Sequence, residues 1–166
     1  MTATMRAKMI APVPYSPIGY YGKVNGNALE HLAGAVYSQE PSAMTVGEFA
    51  KPEPGERVLD LCAAPGGKTT HLLSYLHQTG LLVTNEINRQ RVTALGDNVE
   101  RYGARNTVIT NDTPAALAKE LPGFFLTGSW WMRRVRVKGC FVRIMTQFSI
   151  GRPTIQRRVL NANGRF

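Results

Sequence analysis

A run of small residues, ending in a lysine, separates a predicted strand from a predicted helix. The run consists of Cys62, Ala63, Ala64, Pro65, Gly66, Gly67 and Lys68. Small side chains let a backbone approach a ligand closely, and the N-terminus of a helix presents N–H groups that lack partners inside the helix. The run is therefore predicted to form a ligand-binding loop.

Acidic residues end the next two predicted strands, Glu86 the second and Asp112 the third. In open α/β sheets ligands bind at the carboxyl ends of the strands, so both carboxylates are expected near the loop. A carboxylate after the second strand can accept hydrogen bonds from both hydroxyl groups of a ribose. Asp112 could accept one from an adenine amino group. This combination favours a nucleoside-containing cofactor.

A phosphate-binding P-loop and a simple turn are the alternatives for the glycine pair. Gly67-Lys68-Thr69 matches the end of a P-loop, but Cys62 stands where that motif begins with glycine. The dinucleotide-binding pattern Gly-x-Gly-x-x-Gly is not found. Gly66 and Gly67 could also do no more than turn the chain, although the two acidic strand ends favour a binding role.

Strands and helices alternate around these residues. The predicted strands are 57–61, 81–84 and 107–110, and the predicted helices are 68–78, 88–102 and one opened by Thr113 and Pro114. Three such pairs are typical of parallel βαβ units with right-handed crossovers. Upstream, residues 1–35 are predicted to be irregular or to form short edge strands, and a helix is expected from Pro41 to about Ala50.

The charge is distributed unevenly along the chain. The 166 residues carry a formal net charge of +9. Residues 126–166 contain nine Lys or Arg and no acidic residue, so the whole excess lies there. One interpretation is a basic tail that binds nucleic acid, and the other is that this segment has a different origin. No reliable helix or strand is predicted after Phe125.

The small-residue run, together with 37–44 and 85–89, closely resembles the Sun-type (RsmB/RsmF-like) family of RNA cytosine-5 methyltransferases. The resemblance covers roughly residues 10–125. It implies an α/β, Rossmann-like methyltransferase fold that binds S-adenosyl-L-methionine, of which only the first three βα units are present, followed by an irregular basic tail. It also implies an RNA substrate, ribosomal RNA rather than tRNA.

The resemblance assigns a role to each predicted site residue. Residues 62–68 would cradle the methionine part of the cofactor, Glu86 would hold the ribose hydroxyl groups and Asp112 would lie near the adenine. Cys62 is interpreted as a small loop residue rather than a nucleophile. Lys68 could equally be a solvated side chain of the first helical turn.

The family's catalytic cysteines have no counterpart in this chain. One family cysteine attacks carbon-6 of the cytosine, and a second, in an Asp-Ala-Pro-Cys-Ser-Gly string, assists product release. Cys140 lies in Lys138-Gly139-Cys140-Phe141, which matches neither pattern. No catalytic residue is therefore assigned, and the chain is expected to be inactive. The three histidines lack the spacing of metal ligands, so no metal site is expected.

The tail is interpreted as a frameshift product. Trp130-Trp131-Met132 must be encoded TGG TGG ATG, and the shifted frame then reads Val-Asp, with codons after it that permit the missing Ala-Pro-Cys-Ser-Gly. The break would lie at Phe124-Phe125. The expected organisation is a lead-in segment 1–44, a partial cofactor-binding domain 45–125 and an aberrant tail 126–166. Without the family's fourth strand, one edge of the first parallel strand is expected to be unpaired.

Two alternatives for function remain: a basic RNA-binding protein that acts through 126–166, and an active methyltransferase that uses Cys140. No stretch reaches the roughly 20 apolar residues of a membrane span. No signal peptide is recognised at residues 1–10, and two cysteines do not make a disulfide framework. A cytoplasmic protein is expected.

Overall fold

The computed structural model describes residues 9–121, 128–137 and 140–147. Three parallel strands form its centre: β3 (Arg57–Asp60), β4 (Leu81–Asn85) and β5 (Thr107–Thr110). Helices α3 (Gly67–Leu76) and α4 (Arg89–Tyr102) connect them, and α5 (Pro114–Glu120) follows β5. The predicted alternation of strands and helices is confirmed.

The register of these strands aligns their carboxyl ends. Asp60 pairs with Thr84, one residue before the end of β4, and Asn85 pairs with Thr110, the last residue of β5. The segments that follow the three strands therefore leave the sheet at one edge. The predicted site residues lie in these segments.

The basic tail contributes two strands, contrary to the sequence-based expectation. Strand β6 (Gly128–Val137) pairs in parallel with β3, and β7 (Cys140–Gln147) pairs antiparallel with β6. The sheet order is β5-β4-β3-β6-β7. The predictions of an irregular tail and an unpaired β3 edge are therefore wrong for these residues. The part of the prediction that concerns 148–166 lies outside the described residues.

Backbone chemistry explains why a strand forms there. The open edge of β3 presents N–H and C=O groups that need partners. Trp130, Trp131, Val135 and Val137 are residue types enriched in strands, whereas the intervening arginines weaken the alternating apolar pattern. Backbone hydrogen bonding to β3 thus favours strand β6 although the alternation of apolar and polar residues in its sequence is weak.

The N-terminal segment forms a short hairpin and two helices. Strands β1 (Met9–Pro12) and β2 (Tyr20–Gly22) pair antiparallel, as the prediction of short strands allowed. Helix α1 (Leu29–Leu32) follows, and α2 (Pro41–Ala50) begins at a proline, as expected. No helix in the described part of the chain is long and apolar enough to span a membrane.

Two apolar clusters attach the helices to the sheet. Leu72, Leu73 and Leu76 of α3, at the predicted helical spacing, pack with Val58 and Leu82 of the strands. Ala63 and Ala64 of the loop after β3 pack with Leu95 and Val99 of α4. The loop therefore belongs to the core and has a fixed position relative to α4.

Candidate functional site

Asp60, the last residue of β3, organises the loop that follows. Its side chain is buried; Oδ1 accepts a hydrogen bond from the Cys62 N–H (3.2 Å) and Oδ2 accepts one from the Thr69 hydroxyl (3.0 Å). Burial raises the pKa of the Asp60 carboxyl, although the Lys68 charge and these hydrogen bonds act in the opposite direction. No role was predicted for Asp60 from the sequence, where the one signal is a carboxylate at the end of a predicted strand.

The glycine pair makes room for neighbouring side chains. Gly66 has φ 120°, and a Cβ there would lie 2.9 Å from the Asn98 Cβ. A Cβ at Gly67 would lie 2.9 Å from Cε1 of Tyr37. The glycines are therefore required by packing against α4 and the N-terminal segment, in addition to the predicted close approach of a ligand.

Cys62 is half-buried, and its environment disfavours a thiolate. Burial, followed by the nearby Asp60 carboxylate, raises the pKa of the Cys62 thiol, while the Lys68 charge opposes this. A neutral thiol is a poor nucleophile. This favours the interpretation of Cys62 as a small loop residue. Lys68 is only partly exposed, and its positive charge opposes the rise in the pKa of both Asp60 and Cys62. This favours a role for Lys68 in the loop over a fully solvated side chain.

Glu86 follows β4 and lies close to the loop. Its side chain is 5% exposed; Oε1 accepts the N–H of Asn88 at 3.0 Å, and Oε2 lies 3.1 Å from Nη1 of Arg91. The other guanidinium nitrogen, Nη2 of Arg91, donates to the carbonyl oxygen of Ala64. One guanidinium therefore joins Glu86 to the loop.

Asp112 is placed beside Glu86 by two asparagines. The side-chain amide of Asn85 donates to the Asp112 carbonyl (2.9 Å) and accepts from the Asp112 N–H (3.0 Å). The Asn111 amide donates to the Glu86 carbonyl at 2.6 Å. The Asp112 side chain is exposed. The segments after β4 and β5 are thus tied together at the carboxyl edge of the sheet.

The arrangement suits a nucleoside-containing cofactor. The N-terminus of α3 points its first N–H groups to the same edge, where they favour a negatively charged or polar group. An ionised carboxylate has about four lone-pair positions, so Glu86 retains acceptor capacity for hydroxyl groups beside its contacts with Asn88 and Arg91. The role of each residue in binding stays a prediction.

A separate cavity lies between the N-terminal segment and α3. Its volume is about 470 Å³, and Tyr37, Gln39, His71 and Ser74 are among its lining residues. None of the predicted cofactor-binding residues lines it. This cavity was not predictable from the sequence, because it forms between segments far apart in the chain.

A buried polar network lies beside the cavity. The Glu48 carboxylate accepts hydrogen bonds from the hydroxyls of Ser16 and Tyr75, each at 2.6 Å, and lies 3.3 Å from Nε2 of His71. Burial lowers the pKa of His71, although Glu48 opposes this shift. In the part of the chain that the structure describes, no three potential ligands gather around a possible metal position.

Comparison with known proteins identifies the segment that carries the site. Residues 48–124 match the family described as 16S rRNA methyltransferase RsmB/F. This segment belongs to that family. The RsmB/F match contains the loop, Glu86 and Asp112, and it ends at residue 124, where the predicted frameshift lies.

Curated relatives match a longer share of the chain. Ribosomal RNA small subunit methyltransferase F of Shewanella loihica is 39% identical over 120 residues, which cover 66% of this chain and 25% of the relative. The enzyme of the same name from Pectobacterium carotovorum is 36% identical over 125 residues, covering 70% of this chain and 26% of the relative. The chain spans about a quarter of the length of these relatives.

Solved structures confirm the predicted fold. A methyltransferase homolog from Pyrococcus horikoshii superimposes with a TM-score of 0.63 at 25% identity, covering 70% of this chain and 40% of the homolog. NSun6 from the same organism, solved with SFG, gives a TM-score of 0.53 at 25% identity and covers 60% of this chain and 25% of NSun6. The α/β fold is that of the Rossmann-like methyltransferases.

Proposed function

We propose that this chain is the S-adenosyl-L-methionine-binding portion of a ribosomal RNA cytosine-5 methyltransferase. The convergence of the loop 62–68, Glu86 and Asp112 at one sheet edge, inside the matched family segment, carries the proposal. The loop surrounds the methionine part of the cofactor, Glu86 accepts hydrogen bonds from the ribose hydroxyls, and Asp112 lies near the adenine amino group. When bound, the cofactor supplies a methyl group on a positively charged sulfur.

We further propose that the chain does not methylate RNA. Neither family cysteine string is present, and the raised pKa of Cys62 disfavours a nucleophilic role for it. Cys140 lies at the start of β7 in a sequence that matches neither family pattern. Cofactor binding without methyl transfer is therefore the expected behaviour in the cytoplasm.

Isothermal titration calorimetry tests cofactor binding. The full chain should bind S-adenosyl-L-methionine, and Glu86→Ala should weaken binding by about 1.5–3 kcal/mol, the contribution of hydrogen bonds to a charged group. Glu100→Ala, on the exposed surface of α4, is the matched control and should bind normally. Equal affinity of the Glu86 variant and the unmodified chain would contradict the ribose role.

A methyl-transfer assay tests the second part. With radiolabelled cofactor and ribosomal RNA as acceptor, the full chain should transfer no label above background. Transfer that disappears in Cys140→Ser would instead support an active enzyme using Cys140. Failure of the chain to bind the cofactor at all would overturn the proposal as a whole.

The charge of residues 126–166 favours a second candidate, an RNA-binding protein without enzymatic activity. Nine basic residues without an acidic one can contact phosphates and release counterions. Replacing Arg152, Arg157 and Arg158 by Gln leaves the sequence of β6 and β7 unchanged. Under this candidate the log–log salt slope of RNA binding should fall by about 0.7 for each phosphate that the variant no longer neutralises. An unchanged slope argues against it.

A further inference from the structure

One face of α4 holds the loop after β3 through its carbonyl groups. Nη2 of Arg91 donates to the Ala64 carbonyl, and Nδ2 of Asn98 donates to the Pro65 carbonyl at 2.7 Å. The two residues are two helical turns apart and therefore lie on the same side of α4. With these carbonyls bound to α4, the loop keeps one orientation relative to the helix.

Arg91 differs from Asn98 because it also binds Glu86. Its Nη1 lies 3.1 Å from Oε2 of Glu86, whose other oxygen accepts the N–H of Asn88. Both carboxylate oxygens thus have a fixed partner, and the carboxylate plane cannot turn freely. The lone pairs of Glu86 that remain free to accept hydrogen bonds therefore have fixed directions.

We propose that Arg91 is a positioning residue that gives the site its selectivity for a ribose with both hydroxyl groups. This inference rests on the proposed function, since it concerns the same ribose-binding carboxylate. A vicinal diol donates two hydrogen bonds in a fixed geometry, which a carboxylate of fixed orientation meets without further loss of freedom. A guanidinium is rigid and planar with donors on separate nitrogens, so it can span Glu86 and Ala64 at once, whereas a lysine ammonium is a single point.

The pair is suited to positioning rather than to holding the fold together. The Arg91 side chain is 40% exposed whereas that of Glu86 is 5% exposed, so water reaches the guanidinium and screens the attraction from that side. An Arg91 variant should therefore fold. Asn98→Ala provides the matched control, because Asn98 binds the loop but has no hydrogen bond to Glu86.

The test compares two ligands by calorimetry on the full chain. They are S-adenosylhomocysteine and its 2′-deoxy analogue, which lacks one ribose hydroxyl. The unmodified chain should prefer the ribose form by about tenfold or more, as expected for one hydrogen bond to a charged group. Arg91→Gln should reduce this preference at least threefold, chiefly by weakening binding of the ribose form. Asn98→Ala should weaken both ligands alike and leave the preference unchanged.

The outcomes separate this inference from the proposed function. No binding of either ligand to the unmodified chain overturns the proposed function, and the role of Arg91 with it. A clear preference that Arg91→Gln leaves intact overturns only the role of Arg91. If circular dichroism shows that Arg91→Gln does not fold, Arg91→Lys is measured in its place. Arg91→Lys should lose part of the preference for the ribose ligand over its 2′-deoxy analogue. A preference equal to that of the unmodified chain overturns the inference.

Discussion

Gly66 adopts a backbone conformation, φ 120°, that residues with a side chain rarely allow. A methyl group there would also lie 2.9 Å from the Asn98 Cβ. Gly66→Ala should therefore destabilise the fold by about 1–3 kcal/mol in urea unfolding. Gly96→Ala is the control: its Cβ would meet nothing within 4 Å, and it should stabilise α4 by up to about 1 kcal/mol. Equal stability of the two variants would contradict this account.

Individual residues were predictable where a local rule placed them. Glu86 and Asp112 follow predicted strands, and parallel strands end at one edge, so their proximity follows from the sequence. Arg91 and Asn98 were not predictable, because their partners are carbonyl groups of a loop that reaches α4 only after folding. Nothing in their spacing distinguishes them from other polar residues of an exposed helix face.

At the scale of elements, α2 and α3 meet through the ionisable groups of Glu48 and His71. The ordinary pKa of histidine, 6.5, is lowered by burial in the folded state, so the unfolded chain binds a proton more readily. Stability should be full above pH 6.5 and should fall as the pH drops toward the lowered pKa of folded His71. Burial alone would raise the pKa of Glu48, but hydrogen bonds from Ser16 and Tyr75 and the nearby His71 lower it below its ordinary value. Protonation of Glu48 therefore causes a further loss of folding stability at still lower pH.

Thermal unfolding between pH 7.5 and 5.5 measures this effect. The unmodified chain should lose thermal stability across this range, and His71→Gln should lose less. His77→Asn, at an exposed helix end, should follow the unmodified chain. A pH dependence that His71→Gln leaves unchanged would assign the effect to other groups.

The helices of the βα units were predictable because they carry their own end signals. Asn88 accepts the Gln90 N–H at the start of α4, Gly103 ends α4 with φ 75°, and Thr113 accepts the Ala116 N–H at the start of α5. Strands β6 and β7 carry no such signals. Their sequence is rich in arginine, and what favours β6 is the open edge of β3, a property of the assembled sheet.

For the molecule as a whole, the junction near Phe124 can be tested in the gene. The family match ends at residue 124, and the charge balance changes just beyond it. We expect that restoring one reading frame at the codons of Phe124 and Phe125 yields Asp-Ala-Pro-Cys-Ser-Gly downstream. Sequencing of the genomic DNA and the transcript distinguishes a genuine shift from a reading error. Absence of that string from every frame would refute a frameshift origin.

The loop 62–68, Glu86 and Asp112 come from three separate segments and reach the same sheet edge only when the sheet is assembled. A ligand that contacts all three segments has no binding site in the unfolded chain. Its binding therefore increases the free energy of unfolding by mass action. At a free concentration one hundred times the dissociation constant, that contribution is about 2.7 kcal/mol, a large share of the stability of a small domain. The fraction of this chain that is folded in a cell would then vary with the supply of its ligand.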